Sequence, residues 1–522
     1  MHPIRGNARP ALWLLLAALA GGTALHASAL VSLHSYSLDD ATSYLTASGN
    51  RSAYNAGLKN PSTPAGVWVP ASEWQRFLGE PRPFAFRTIS RDLGNLDIHP
   101  PAYFWLLGSW ISIFGVHLWS GPTLNFLIHG LTGLALFQLA FWVLGSRRQA
   151  ALVLLLWALS PAVARTAANT RQYALFGLFS VLLMSEALRL TEGTPGRPWR
   201  RGVGITAAAL GGLLTHLQFT LVCGTAGVWM LFRSARSAPL RLAVGTVALA
   251  AAAGLAFAIF PEALDQLARQ QARPVASSTA ARVGILPQAL AEFFFVRPSA
   301  LAQGAVFALT TGVLLVSLSL GLRSRLGSWP REPRSARIAG PLFFLATLFA
   351  AIGGAYLLGL SPDHAMKYRY LSPLWPAFAF VPVLAWRWLP WRPRRVRLAG
   401  GAALVVLLVA NASAVRMSAP GDPARALAGV ERVVFGSPTP GRVLPLVAHL
   451  AEKTPILVAD RSALAAEIDG WLDPDCRACL YAHAVPGVSE QTDPILEGIR
   501  AVCPTRSLVS PLWRSGTLYC GH

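Results

Sequence analysis

Ser37-Leu38-Asp39-Asp40 opens the stretch 34–103, and Leu96-Asp97-Ile98-His99-Pro100-Pro101-Ala102-Tyr103 closes it. Ahead of it lies an apolar run, 11–33, long enough to cross roughly 30 Å of hydrocarbon. Two adjacent acids therefore stand just beyond a membrane span, and a His-Pro-Pro-x-Tyr element leads back to the membrane. A carboxylate at that depth, on the water side of the interface, can act as a base on a molecule arriving from the lipid. The rest of the chain reads as the scaffold that brings such a molecule to it.

The composition fits that reading. Of 522 residues, 53% are hydrophobic and 13% charged, with a mean hydropathy of +0.44. Soluble domains carry about 25% charged residues, so the chain is not a string of soluble domains. The net charge of +21 invites a nucleic-acid partner. The positive residues, however, cluster in short loops between apolar runs, which is the pattern that sets membrane orientation. No nucleic-acid role is expected.

Arg5 and Arg9 flank the first run and place the N-terminus in the cytoplasm. A signal peptide cut near Ala27-Ser28-Ala29 is the alternative, and it leaves the later topology unchanged. Residues 34–120 then lie outside, with interfacial helices at 39–48 and 101–114. The second is rich in aromatics (Tyr103, Phe104, Trp105, Trp110, Phe114), as a membrane–water boundary favours. Further spans follow at 121–144, 150–164, 173–190, 203–217, 218–232, 242–260, 299–322, 341–360, 372–389 and 398–415. That makes about eleven in all, with the basic-rich short loops on one side.

Beyond residue 416 the character changes. Charge is mixed and apolar runs are short. Pro455-Ile456-Leu457-Val458-Ala459-Asp460 reads as a strand, and 443–452 and 463–472 read as helices. The expected architecture is a polytopic α-helical membrane domain, 1–416, and a small extramembrane α/β domain, 417–522. An odd span count puts the second domain on the outer side. There Cys476, Cys479, Cys503 and Cys520 are expected to form two disulfides. Cys476-x-x-Cys479 also admits a zinc or dithiol reading.

The residues able to carry chemistry lie in the outer connections. Asp39 and Asp40 can cap a helix or divide the labour of a base and an orienting group. His99 can serve a phosphate as a cation or a donor, or simply bond its loop. Arg171 and Tyr173, with Arg165, lie in and beside the loop 165–171. Outer arginines need a partner, and a lipid phosphate suits them, although snorkelling would also place them there. His216 ends a span, where an ionisable group is a functional candidate. Lys367 and Arg369 belong to a second basic–aromatic cluster, 363–370.

This order resembles that of bacterial GT-C-fold glycosyltransferases. The shared order is an acidic pair after the first span, His-Pro-Pro-x-Tyr, Arg-x-Tyr-Ala-Leu opening a span, Leu-Thr-His near the end of another, and a late Arg-Tyr-Leu-x-Pro. These enzymes are relatives of the dolichyl-phosphate-mannose protein mannosyltransferases and of the lipid A aminoarabinose and galacturonic acid transferases. The likeness covers roughly 10–410. It implies an enzyme of the bacterial cytoplasmic membrane, with its C-terminus periplasmic. The enzyme would move a sugar from a polyprenyl-phosphate carrier to a lipid, glycan or protein acceptor on the outer face, with inversion. The proposed base of the family maps onto Asp39. Asp40 stands where a Glu is usual, and Asn169 where many relatives carry Glu. His99, Arg171, Tyr173, His216, Lys367 and Arg369 would hold the donor's phosphate and sugar, with Trp68, Trp74, Tyr103 or Trp105 stacking on sugar. No nucleotide cofactor is called for, and a divalent metal stays open. A lipid transporter and a non-catalytic scaffold are the rival classes.

Overall fold

The computed structural model describes residues 8–57, 66–192, 197–235, 238–271, 287–296, 298–308, 310–312, 368–388, 427, 429–437, 439–472, 475–476, 479–482, 494–502, 505–508 and 516–519. Within them the fold is a helix bundle capped at one end by short helices and a β-sheet.

Helices α1 (Ala8–Val31), α7 (Ser120–Leu144), α10 (Tyr173–Thr191) and α13 (Pro239–Ile259) are long and apolar enough to cross a membrane. Helices α8 (Arg147–Ala158) and α9 (Pro161–Ala168) meet at 51° and add a fifth span if they form one broken crossing. The break has a local cause. Ser160 caps α9 by accepting from the Val163 N–H, and Pro161 opens it without a donor of its own. Arg165, expected in a loop, therefore lies on α9, where its guanidinium is 3.8 Å from the Glu292 carboxylate. Helices α11 (Pro198–Leu213) and α12 (Phe219–Ser234) have 16 residues each, short of the roughly 20 an untilted span needs. The expected spans 341–360 and 398–415 lie outside the described residues, as do residues 309 and 313–322 of the expected span 299–322. The molecule is a multi-pass membrane protein.

The apolar window of α10 is 72% buried, against 22% for α1 and α13, so α10 is the bundle's axis and the other two face lipid. Phe176, Leu183 and Leu188 of α10 pack with Phe219, Trp229 and Leu139 in the main core.

The capping layer begins with α2 (Leu38–Ala47), α3 (Arg51–Gly57), strand β1 (Val69–Pro70), α4 (Ala71–Gly79), α5 (Phe86–Leu96) and α6 (Ala102–Phe114). It is completed by β2 (Arg432–Phe435), β3 (Pro455–Val458), β4 (Cys479–Ala482), β5 (Thr505–Leu508) and β6 (Gly516–Tyr519), in the order β1-β3-β2-β4-β6-β5. Strand β2 runs parallel to β3 and β4, and the other pairings are antiparallel. Alternation along β2 divides its side chains. Val433 and Phe435 join Tyr44, Trp74 and Tyr103 in one core, whereas Val434 packs with Trp471, Tyr481 and Ile499 on the other face. The sheet thus crosses the boundary drawn at residue 416. One of its two edge strands is Val69–Pro70, with Val69 opposite Ile456. Cys476 and Cys479 form a disulfide, while Cys503 and Cys520 lie outside the described residues.

Candidate functional site

Asp39 sits in the first turn of α2, and that turn is fixed by its own sequence. The Ser37 Oγ accepts from the Asp40 N–H at 3.1 Å, and the Asp40 carboxylate accepts from the Ser37 N–H at 2.9 Å. This reciprocal cap leaves the other Asp40 oxygen to accept from the Thr170 N–H at 2.5 Å. Asp40 is buried and both its oxygens are occupied by backbone donors. Burial pushes its carboxyl up despite these bonds.

Asp39 faces the other way. It accepts from Arg171 at 2.7 Å and from Arg369 at 2.5 Å, one guanidinium on each carboxylate oxygen. Burial alone would push the Asp39 carboxyl up, but the two guanidiniums outweigh it and hold it well below the usual carboxylate range. Arg171 is itself buried, and its Nη1 has no hydrogen-bond partner. Arg369 also lies over the Tyr173 ring, 5.6 Å from its centre.

The loop carrying Arg171 is held from two sides. Asn125 of α7 donates to the Asn169 carbonyl at 2.5 Å. The Tyr44 hydroxyl donates to the His117 carbonyl and accepts from the Gly121 N–H. Gly121 passes so close to Thr170 that a Cβ there would fall 2.2 Å from the threonine methyl. Helix α2, the start of α7 and the α9–α10 connection therefore touch at one point.

A second cluster adjoins the first. Arg51 pairs with Asp97. The Gln172 amide approaches His99 Nδ1 at 3.1 Å, and His99 Nε2 is 3.8 Å from Asp97. Burial pushes His99 down to about 4 despite Asp97, so the imidazole is neutral near pH 7. Its service to a phosphate would be an N–H rather than a charge. The His216 ring stacks on Phe176 at 4.9 Å, with the rings of His99 and Tyr173 about 6 Å away.

Asp39, Asp40, His99, Arg171, Tyr173, His216 and Arg369 thus gather at one end of the bundle, where α9 and α11 stop and α7, α10 and α12 start. Lys367 lies outside the described residues. Trp74 and Tyr103 are core residues, 1% and 0% exposed, and present no face for a sugar. Arg51, Asn125, Thr170 and Gln172 escaped the sequence reading. Asn125 alone carries a signal, an amide in an otherwise apolar run. Among the described residues no three His, Cys, Asp or Glu side chains come together. The donor set also fits a cation poorly, because Asp39 is taken by guanidiniums and Asp40 by N–H donors.

Helix order and capping layer can be set against known structures. Over 98% of both chains the molecule aligns with the crystal structure of ArnT from Cupriavidus metallidurans bound to undecaprenyl phosphate, at TM-score 0.52 and 13% identity. The apo state of that protein aligns at TM-score 0.54 and 12% identity, over 97% of this chain and 98% of that one. The chain has the GT-C fold. A third GT-C structure, the archaeal oligosaccharyltransferase AglB from Archaeoglobus fulgidus in complex with an inhibitory peptide and a dolichol-phosphate, aligns at TM-score 0.50 and 12% identity, over 97% of this chain and 74% of that one. No family model matches the sequence, and no curated protein does. The GT-C likeness is therefore one of fold, seen in three dimensions and nearly erased in sequence.

Proposed function

We propose that this protein is a membrane glycosyltransferase that takes a sugar from a polyprenyl-phosphate donor. Asp39 is its general base, and Arg171 and Arg369 hold the donor phosphate. The observation that carries the reading is the Asp39 carboxylate set between two arginines, one of which keeps a buried, unpartnered Nη1. The GT-C fold supports it, because structures of that fold carry undecaprenyl phosphate and dolichol-phosphate.

With both guanidiniums on it, Asp39 is a weak base. A donor phosphate competes for the same cations. As the arginines turn to it, Asp39 loses the charges that depress its pKa and stays in a desolvated position, so its basicity rises. The acceptor's O–H then hydrogen-bonds to Asp39, and its oxygen attacks the anomeric carbon opposite the phosphate. The bond from that carbon to the phosphate oxygen breaks, and its electron pair leaves with the polyprenyl phosphate, whose charge Arg171 and Arg369 stabilise. The acceptor proton passes to Asp39, and the anomeric centre inverts. Asp40 positions this turn without touching substrate. His99, His216 and Tyr173 line the neighbouring wall for the sugar.

We place the reaction on the outer face of a bacterial cytoplasmic membrane. Arg147, Arg148, Arg197, Arg200, Arg201, Arg233 and Arg241 lie in or beside the terminal turns of helices, at the opposite ends from Asp39, the pattern of a cytoplasmic side. The acceptor is a lipid, a glycan or a protein.

The test is sugar transfer by the full chain in proteoliposomes supplied with labelled polyprenyl-phosphate sugars. Asp39→Asn should lose on the order of 10²–10⁴-fold in rate at equal protein level. An unchanged rate would remove Asp39 from the chemistry. A wild type that carries labelled lipid across the bilayer but transfers nothing would favour a transporter.

A further inference from the structure

A second surface, away from Asp39, carries charge that the proposed reaction does not use. The segment leading into α5 and its first turns reads Arg82-Pro83-Phe84-Ala85-Phe86-Arg87-Thr88-Ile89-Ser90-Arg91. Arg82, Arg87 and Arg91 are exposed. Among the described residues they form no ion pair, whereas Arg51 pairs with Asp97 and Arg76 with Glu73. The one acid within α5, Asp92, is buried and bonded to Ser52. Glu80 precedes the segment without pairing to it, and Glu262 lies at the far end, against Gly94.

Two aromatic rings stand among these arginines. Phe84 is 55% and Phe86 41% exposed. Phe84 has φ +51°, a backbone setting that a bulky side chain adopts at a cost. It is held there by its N–H on Ser112 Oγ and by its carbonyl accepting from the Phe86 N–H. The Trp105 indole N–H bonds to the Phe86 carbonyl and to Ser90 Oγ, which ties the segment to α6. Helix α6 in turn exposes Leu106, Ile113 and Phe114. The apolar surface therefore runs from α6 onto the two phenylalanines, and the arginines rim it.

We infer that this surface docks anionic lipid head groups of the adjoining leaflet. The rings and the α6 side chains enter the acyl boundary, and Arg82, Arg87 and Arg91 meet the phosphates. A soluble anionic partner would satisfy the arginines but leave the apolar surface in water, so the bilayer is the better match. The device would fix the height of α5, and hence of Asp97 and His99 directly after it, against the membrane.

Amide hydrogen exchange across residues 84–96 of the full chain tests this in nanodiscs of phosphatidylcholine, with and without phosphatidylglycerol. Each arginine near an anionic surface is worth about fivefold in partition, roughly a hundredfold for three. Phosphatidylglycerol should slow exchange in the wild type by at least about tenfold, and Arg82→Gln/Arg87→Gln/Arg91→Gln should remove the difference. Exchange in β2 and β3 reports whether the triple variant is folded. If it is not, Arg87→Gln alone should remove about fivefold of the effect. Equal exchange in the two lipids would overturn the proposal. So would full retention of the difference in the triple variant, or equal protection from dextran sulfate in pure phosphatidylcholine.

Discussion

Asp39 and Arg369 lie 330 positions apart in sequence, yet their carboxylate and guanidinium meet at 2.5 Å. The pair joins the helix after the first span to the 3-10 turn Tyr368–Leu371, and Arg171 closes it from a third segment. On the proposed reading, this carboxylate competes with the donor phosphate for its arginines. Asp39→Asn should therefore cut transfer by the same roughly 10²–10⁴-fold while tightening the binding of polyprenyl phosphate by about tenfold, since a like charge is removed. Arg369→Ala should weaken that binding by a similar factor. Titration of both variants with polyprenyl phosphate in detergent decides it. Weaker binding by Asp39→Asn would mean the arginines need the acid for their placement.

His99 supplies a pH dependence. It titrates near 6.5 when unfolded and at about 4 in the fold. As pH falls, the unfolded chain takes up its proton first. The stability contributed by the neutral imidazole is thus full above about pH 6.5 and is lost progressively down to about pH 4. His216, pushed down by burial, adds to the trend. The depressed carboxyls of Asp39 and Asp97 act in a lower window, keeping their contribution above about pH 4 and losing it below. Thermal unfolding midpoints should fall from pH 6.5 to pH 4 in the wild type, with a shallower slope in His99→Gln. Equal slopes would show that His99 is not neutral in the fold.

Gly121 is the tightest contact behind the arginine loop. Its replacement by Ala would drive a methyl into Thr170, a stiff β-branched neighbour. Thr170 shares its backbone with Arg171 and donates to Asp40. The expected result is a loss of about 10- to 100-fold in transfer, with protein yield and helix content retained. Activity within twofold of wild type would show that the loop absorbs the methyl without moving Arg171.

Trp74 tests whether the capping layer is one unit. It is fully buried, packs edge-on against Tyr54, and shares a core with Val433 and Ile456 of the sheet. The next residue, Gln75, donates to the carbonyls of Val447 and Leu450. Trp74→Ala should cost about 3–5 kcal/mol and should expose the C-terminal segment to protease. Unchanged cleavage there would mean that the sheet stands without α4.

Much of this was legible in the chain itself. The apolar runs at 121–144 and 173–190 became α7 and α10, because a membrane span must be long and continuous. The capping of α2 could be read from Ser37 and Asp40, three residues apart. The pairing of Asp39 with Arg369 could not be read directly, because no local pattern joins positions so far apart. The resemblance to a known order of motifs put both residues in one site but did not pair them. Arg51, Gln172 and Thr170 gave no signal, since each acts through a contact made only in three dimensions. Trp74 and Tyr103 misled, because an aromatic near an interface fits a sugar platform and a core equally well in sequence. Arg82, Arg87 and Arg91, in and before α5, were lost among the many basic residues that set orientation.

The pairing of Val69 with Ile456 constrains more than the sheet. Strands joined edge to edge share one aqueous compartment, since a bilayer cannot pass between them. The chain that leaves β1 must therefore return to the same side before it reaches β2, so its crossings between the two are even in number. A two-residue strand thus constrains the topology between β1 and β3, independently of how any single span is drawn.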